Sequence, residues 1–150
     1  LIQEIIIDMK KKLVVVIDGQ GGLLGRQLSD QILEKAPDAE VQVIGTNSIA
    51  TANMLKGKAK RGATGENPVL VACRRADIIT GPIGLIITDA MMGEITEEIA
   101  SAITRSDALK VLIPISRCGV EIAGTEELPM GDLIEDTVSR IVRALQNETD

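Results

Sequence analysis

The sequence contains no phenylalanine, tyrosine, tryptophan or histidine. A core without rings must be built from Ile, Leu, Val, Ala and Met. Without histidine the commonest general acid or base near neutral pH is missing, and a zinc site loses its usual imidazole ligands. Any catalysis therefore falls to Asp, Glu, Lys, Arg, Ser, Thr, Cys or the backbone. The missing rings also remove the platforms on which single-stranded nucleic acid stacks. A net charge of −6 further opposes an electrostatic grip on nucleic acid.

Cysteine is scarce as well. Cys73 and Cys118 form no CxxC or metal-type spacing, and a reduced cytoplasmic compartment fits that usage. No apolar run reaches about 18–20 residues, so no membrane helix is expected. Residues 1–8 contain Glu4 and Asp8 and lack the basic start of a signal peptide. Met9 and the three lysines after it resemble a natural beginning. Residues 1–8 then read as an upstream extension or an added remnant, and residues 9–150 as a single Rossmann-like nucleotide-binding domain. A chain of 150 residues with 45% apolar content is long enough for one real core.

What is present is a glycine turn in a telling place. Residues 12–18 form an apolar run, as in a strand buried on both faces. Residues 22–36 follow as a helix, with Leu24, Leu28 and Ile32 on one face and Pro37 closing it. Between them lie Asp18, Gly19, Gln20, Gly21 and Gly22, with Gly25 one turn later. Strand, glycine turn and helix in that order suit phosphate binding at a helix N-terminus. Glycines there adopt positive φ and admit a ligand close to the backbone. The spacing Gly19-x-Gly21-x-x-x-Gly25 matches the dinucleotide pattern loosely, since its last glycine stands one residue late. A tight strand-to-helix turn without a ligand is the alternative.

The periodicity continues along the chain. Residues 40–45 read as a second strand, and Asn47 or Ser48 as the cap of a helix reaching about Gly57. Gly62–Pro68 reads as a loop, and residues 68–75 as a short helix. Residues 76–80 read as a strand ending at Gly81, Pro82, Ile83 and Gly84, and residues 85–88 as the start of a helix or a short strand. Thr96 caps a helix with acids in its first turn. Residues 109–115 read as a strand, and Val120–Ala123 as a late edge strand. In the last helix Ile134, Val138, Ile141 and Leu145 share a face. The alternation predicts an α/β fold with a doubly wound, mostly parallel, Rossmann-like sheet and helices on both faces.

In such a sheet ligands bind beyond the carboxyl ends of the strands. The candidate site therefore gathers Asp18, Gly19, Gln20, Gly21, Gly22 and Gly25, then Thr46, Asn47 and Ser48, then Gly81, Pro82, Ile83 and Gly84. Ser116–Gly119 and Gly62–Asn67 stand as further loops at that edge. Adenosine binders carry an acid at the end of the second strand. Here the sequence offers only Gly45, Thr46 and Asn47, so Thr46, Asn47 and Ser48 are read as holding a phosphate or as plain caps. Asp18 either orients the glycine loop through backbone N–H groups or binds Mg²⁺ or a ligand hydroxyl. Asp89 reads as a helix cap or a second acid of the site, Glu66 as an arginine partner or a site residue, and Met54, Met91 and Met92 as core filler. Lys56–Arg61 is either a solvated helix end or a patch for an anionic ligand. Cys118 beside Arg117 is read as a small buried side chain rather than a nucleophile.

The strings Val14–Gly25, Gly45–Thr51, Gly62–Asn67, Gly81–Gly84 and Ile113–Cys118 together resemble a small bacterial family known only as a domain of unknown function. The resemblance spans about Met9 to Leu145. It implies a Rossmann-like fold and a cytoplasmic bacterial protein, and it supplies no activity or catalytic residue. The leading expectation is binding of a phosphorylated nucleotide or dinucleotide, NAD or NADP first, in a homodimer that uses neither nucleic acid nor membrane. The alternatives are a non-catalytic regulatory or assembly subunit, and a small enzyme acting on an anionic metabolite through Asp18 or Asp89 with Mg²⁺.

Overall fold

The computed structural model describes residues 11–115, 119–125 and 128–147. Five strands form one sheet in the order β3-β2-β1-β4-β5, and every pairing is parallel. They are β1 (Leu13–Asp18), β2 (Glu40–Gly45), β3 (Arg61–Thr64), β4 (Ile78–Pro82) and β5 (Leu109–Ile113). Five α-helices lie among the described residues. They are α1 (Leu23–Lys35), α2 (Ser48–Leu55), α3 (Glu66–Arg75), α4 (Glu97–Arg105) and α5 (Met130–Gln146).

β1 is central because its sequence suits no other place. All six of its residues are buried, and its Val-Val-Val-Ile run gives an apolar side chain to both faces. Val15 and Ile17 join one core with Ile79 of β4, Val69 and Ala72 of α3, and Ile99 and Ile103 of α4. Val14 and Val16 join the other, with Leu28 and Ile32 of α1, Ala50 and Met54 of α2, and Ile134, Val138 and Ile141 of α5. The sheet is therefore doubly wound, as the alternation predicts. Each large aliphatic side chain so buried contributes about 1.5–3 kcal/mol.

The helix starts are chemically marked. The Asn47 side chain accepts the N–H of Ala50 at 2.8 Å and caps α2. The Thr96 hydroxyl accepts the N–H of Ile99 at 3.1 Å, and Glu97 and Glu98 sit in the first turn of α4. Both devices satisfy N–H groups that a helix start leaves open. In β4, the fully buried Thr80 keeps a hydroxyl with no hydrogen-bond partner among the described residues.

Several expectations need correction. Gly62–Thr64 belongs to β3, paired with β2 from Gln42↔Arg61 to Gly45↔Thr64, and α3 already begins at Glu66. A four-residue edge strand pairs on one side only, so it needs no apolar alternation. Gly81 and Pro82 still belong to β4, and a 3-10 turn follows at Ile83–Ile86. Val120–Ala123 forms no strand. Val120 and Ile122 stay exposed, and β5 forms that edge of the sheet. The basic run lies at the wrong end for a ligand at the strand carboxyl ends. Arg61 opens β3 and pairs with Glu40 at 3.4 Å, while Lys58 pairs with Glu34 at 3.7 Å. Residues 1–8 and Ser116–Cys118 lie outside the described residues.

Candidate functional site

The chain winds one way from β1 through β2 to β3 and the other way through β4 to β5. The direction of winding thus reverses between β1 and β4. A crevice outside the carboxyl ends of the strands at such a point is where open α/β sheets bind ligands. This protein has one there, of about 490 Å³, lined on the β1 side by Asp18–Leu24 and on the β4 side by Pro82 and Gly84. Met91, Met92, Ile115 and Met130 complete its wall.

The glycine loop is held by its carbonyls. Asn47 of the α2 cap donates to the Gln20 carbonyl at 3.0 Å, and Asn53 donates to the Gly21 carbonyl at 2.8 Å. A trans peptide sets C=O and N–H in opposite directions. Fixing the Gln20 carbonyl on Asn47 therefore turns the Gly21 N–H away from α2. No acceptor among the described residues takes the N–H groups of Gly21, Leu23 or Leu24. Three free donors thus stand where the positive end of the α1 dipole adds to them.

The four glycines do different work. Gly22 caps α1 with φ 72°, and a Cβ there would lie 2.5 Å from the Ala50 carbonyl oxygen. Gly19 and Gly25 make room for protein, since a Cβ on them would meet Thr46 Oγ1 at 2.5 Å and Met54 Sδ at 2.4 Å. Gly21 alone faces open space, its nearest neighbour, Leu23 Cγ, being 4.0 Å away. Both of its neighbours are left-handed, Gly22 and the non-glycine Gln20, the latter with φ 49°.

Asp18 is only 5% exposed. Its Oδ1 accepts the N–H of Gly19 and its Oδ2 the N–H of Gly25, each at 2.8 Å. Burial raises its pKa above the ordinary 3.8, the two backbone N–H groups oppose that rise, and the charge of Glu94 adds to it. With both oxygens engaged, Asp18 orients the loop, as the first of its two readings has it. No cluster of three metal-ligating side chains occurs among the described residues.

Sequence reasoning missed Glu94. It lies 48 residues beyond Thr46, yet its carboxylate sits at the ends of β1 and β2. Oε2 accepts the Gln20 N–H at 2.9 Å, and Oε1 accepts the Thr46 hydroxyl at 3.2 Å and the Asn47 amide. The second strand's end therefore does face a carboxylate, contrary to the expectation from the sequence. A tight loop delivers it. Asp89, Met91 and Met92 have φ of 65°, 59° and 58°, and Gly93 has φ of 90°. The Asp89 N–H donates to the Ile95 carbonyl at 2.7 Å and the Ile95 N–H to the Ala90 carbonyl at 3.2 Å. Left-handed non-glycine residues cost on the order of 1–3 kcal/mol each and persist only where the surroundings impose them. The sequence hint was Asp89 and Gly93, both tolerant of that region, bracketing Ala90, Met91 and Met92, which are not.

Asp89 thus belongs to this strap rather than to a helix cap. Met91 walls the crevice, and Met92 is 97% exposed rather than core. Met54 is buried as expected. Glu66 accepts the Thr96 hydroxyl at 2.5 Å and ties α3 to the start of α4. Pro82 and Gly84 reach the crevice, while Gly25, Thr46, Asn47, the exposed Ser48, Gly81 and Ile83 do not line it.

The chain belongs to the family described as "Domain of unknown function (DUF3842)", whose model matches residues 13–146. No curated protein matches it. Among solved structures, the crystal structure of Clostridium botulinum phage c-st TubZ is similar, with a TM-score of 0.52 at 14% identity. The match covers 95% of this chain and 62% of that one. The likeness concerns the fold, and this chain spans less than two thirds of the TubZ length.

Proposed function

We propose that this protein binds a nucleotide in the crevice between β1 and β4, with the phosphates on the glycine loop. One observation carries the reading. The N–H groups of Gly21, Leu23 and Leu24 have no protein acceptor among the described residues, and they border a cavity at the reversal point of the sheet. An anion at a helix start satisfies such donors. NAD and NADP are the dinucleotides to try first. The β2 side of the loop, with Thr46 and Asn47, lies where the adenosine half of a dinucleotide rests in this strand order. Thermal shift with NAD, NADP, ATP, GTP, AMP and acetyl-CoA tests the reading. A rise in melting temperature with one of them is expected, and no rise at millimolar concentration would count against it.

A second reading, a non-catalytic assembly subunit, has its own observation. Leu23, Met92 and Met130 are 64%, 97% and 42% exposed at the mouth of the crevice. An apolar rim of this kind suits a protein surface, and a second copy of the chain is the partner we favour. Light scattering at micromolar concentration should give twice the 15.9 kDa chain mass. A monomer whose melting temperature rises with nucleotide would favour the first reading alone.

A further inference from the structure

We infer that Glu94 is an internal competitor for the ligand's anionic group, and that the strap Asp89–Glu94 must let go of the glycine loop for the site to fill. The inference rests on the nucleotide reading and concerns its regulation.

Three donors from two loops converge on this one carboxylate: the Gln20 N–H, the Thr46 hydroxyl and the Asn47 amide. The Gln20 N–H belongs to the same loop as the free N–H of Gly21. A phosphate on the loop that also took the Gln20 N–H would have to displace Glu94, whose charge it shares. The two anions cannot share a donor set at close range, because like charges repel and a donor that serves one is lost to the other. The Glu94 carboxylate therefore holds one N–H of the loop on which a ligand phosphate would rest, and stands beside that position as a competing charge.

The strap is built to be released. Its left-handed residues at Asp89, Met91 and Met92 hold a conformation that unbound chain avoids. The Glu94 contacts at the strand ends compensate for it. Gly93 adjoins Glu94, and a side chain there would meet nothing within 4 Å, so the chain has room to swing there. Met91 and Met92 line the crevice, and withdrawal of Glu94 moves them with it. One event then frees a donor and widens the mouth. Binding energy spent on releasing the strap lowers the protein's apparent affinity, as in any equilibrium where only one state accepts ligand.

Pyrophosphate is the probe, measured by calorimetry against wild type, Glu94→Gln and Glu94→Ala, with melting curves to show that each variant is folded. Both variants should bind it about tenfold more tightly than wild type, a change equivalent to 1.4 kcal/mol. In wild type, pyrophosphate should speed hydrogen exchange at the Asp89, Gly93 and Ile95 amides. Equal or weaker binding by both folded variants, with exchange in the strap unchanged, would overturn the inference. If a nucleotide binds wild type with that pattern, the nucleotide reading survives and the competitor does not. Tighter pyrophosphate binding without any nucleotide binding leaves the competitor standing and removes the nucleotide. No binding of either ligand to any variant at millimolar concentration removes both.

Discussion

Adding one methyl group at Gly22 or at Gly21 should have separate consequences, the first for stability and the second for binding, although the two are neighbours. Gly22 has φ 72°, and a Cβ would lie 2.5 Å from the Ala50 carbonyl oxygen and 2.7 Å from its Cα. Those are backbone atoms of α2, which cannot turn aside as a side chain can. Placing an L-residue in the left-handed region costs about 1–2 kcal/mol, and forcing extra volume into a packed contact costs about 1–3 kcal/mol. Gly22→Ala should therefore lose about 2–5 kcal/mol, which for a chain of this size is a fall of about 4–20 °C in melting temperature. Gly21 lacks a positive φ, and its nearest neighbour would be 4.0 Å away. Gly21→Ala should stay within about 1 kcal/mol of wild type. Its methyl would stand on the open side of the loop and should weaken nucleotide binding about tenfold or more. Differential scanning calorimetry reads the first effect and titration calorimetry the second. A Gly22→Ala protein that melts with wild type would refute the packing argument. A Gly21→Ala protein that binds as tightly as wild type would show that ligand does not touch the loop.

Three other outcomes follow from the same geometry. Burial raises the Asp18 pKa above 3.8, so the folded state holds that proton more firmly than the unfolded chain. Its contribution is full below 3.8 and falls as pH rises through the folded value. Wild-type stability minus that of Asp18→Asn, from urea curves, should decline with rising pH and then level off; a difference that rises would contradict this. Thr80→Val replaces a buried hydroxyl lacking a partner among the described residues with a methyl of similar shape, and should raise stability by about 1 kcal/mol; a loss of that size would mean the hydroxyl is bonded after all. Burial pushes the Cys73 thiol up to about 11, with Lys110 opposing. In a Cys118→Ser background a disulfide reagent should label Cys73 only as fast as the protein opens, and immediate labelling would contradict the burial.

Much of the scaffold was readable because local chemistry and tertiary role agree. The unbroken Val-Val-Val-Ile run of β1 has no stable place except between two helical layers. Asn47 and Thr96 cap helices by the same hydroxyl or amide chemistry in any context. Ile134, Val138 and Ile141 can share a face only on a helix. β3 was hidden because Arg61–Thr64 carries no apolar signal, and only its register with β2 makes it a strand. The reverse error at Val120–Ala123 has the same root, since alternation predicts a strand only if a neighbour is there to pair. The glycine loop was legible as a turn, but the division of labour among its glycines depends on α2 and Met54, which the local sequence does not contain. Glu94 was illegible for a similar reason. Its role follows from where the strap ends in space, beside Thr46 and Asn47.

The ringless core has an optical consequence. Two aliphatic layers hold this sheet without an indole or phenol, so the polypeptide is nearly transparent in the near ultraviolet. A purine or nicotinamide base in the crevice would be the dominant chromophore of the whole particle. Material purified from cells can therefore report its own nucleotide occupancy in a plain absorbance spectrum: a band near that of free purine means a carried nucleotide, and a featureless trace means that no base is bound.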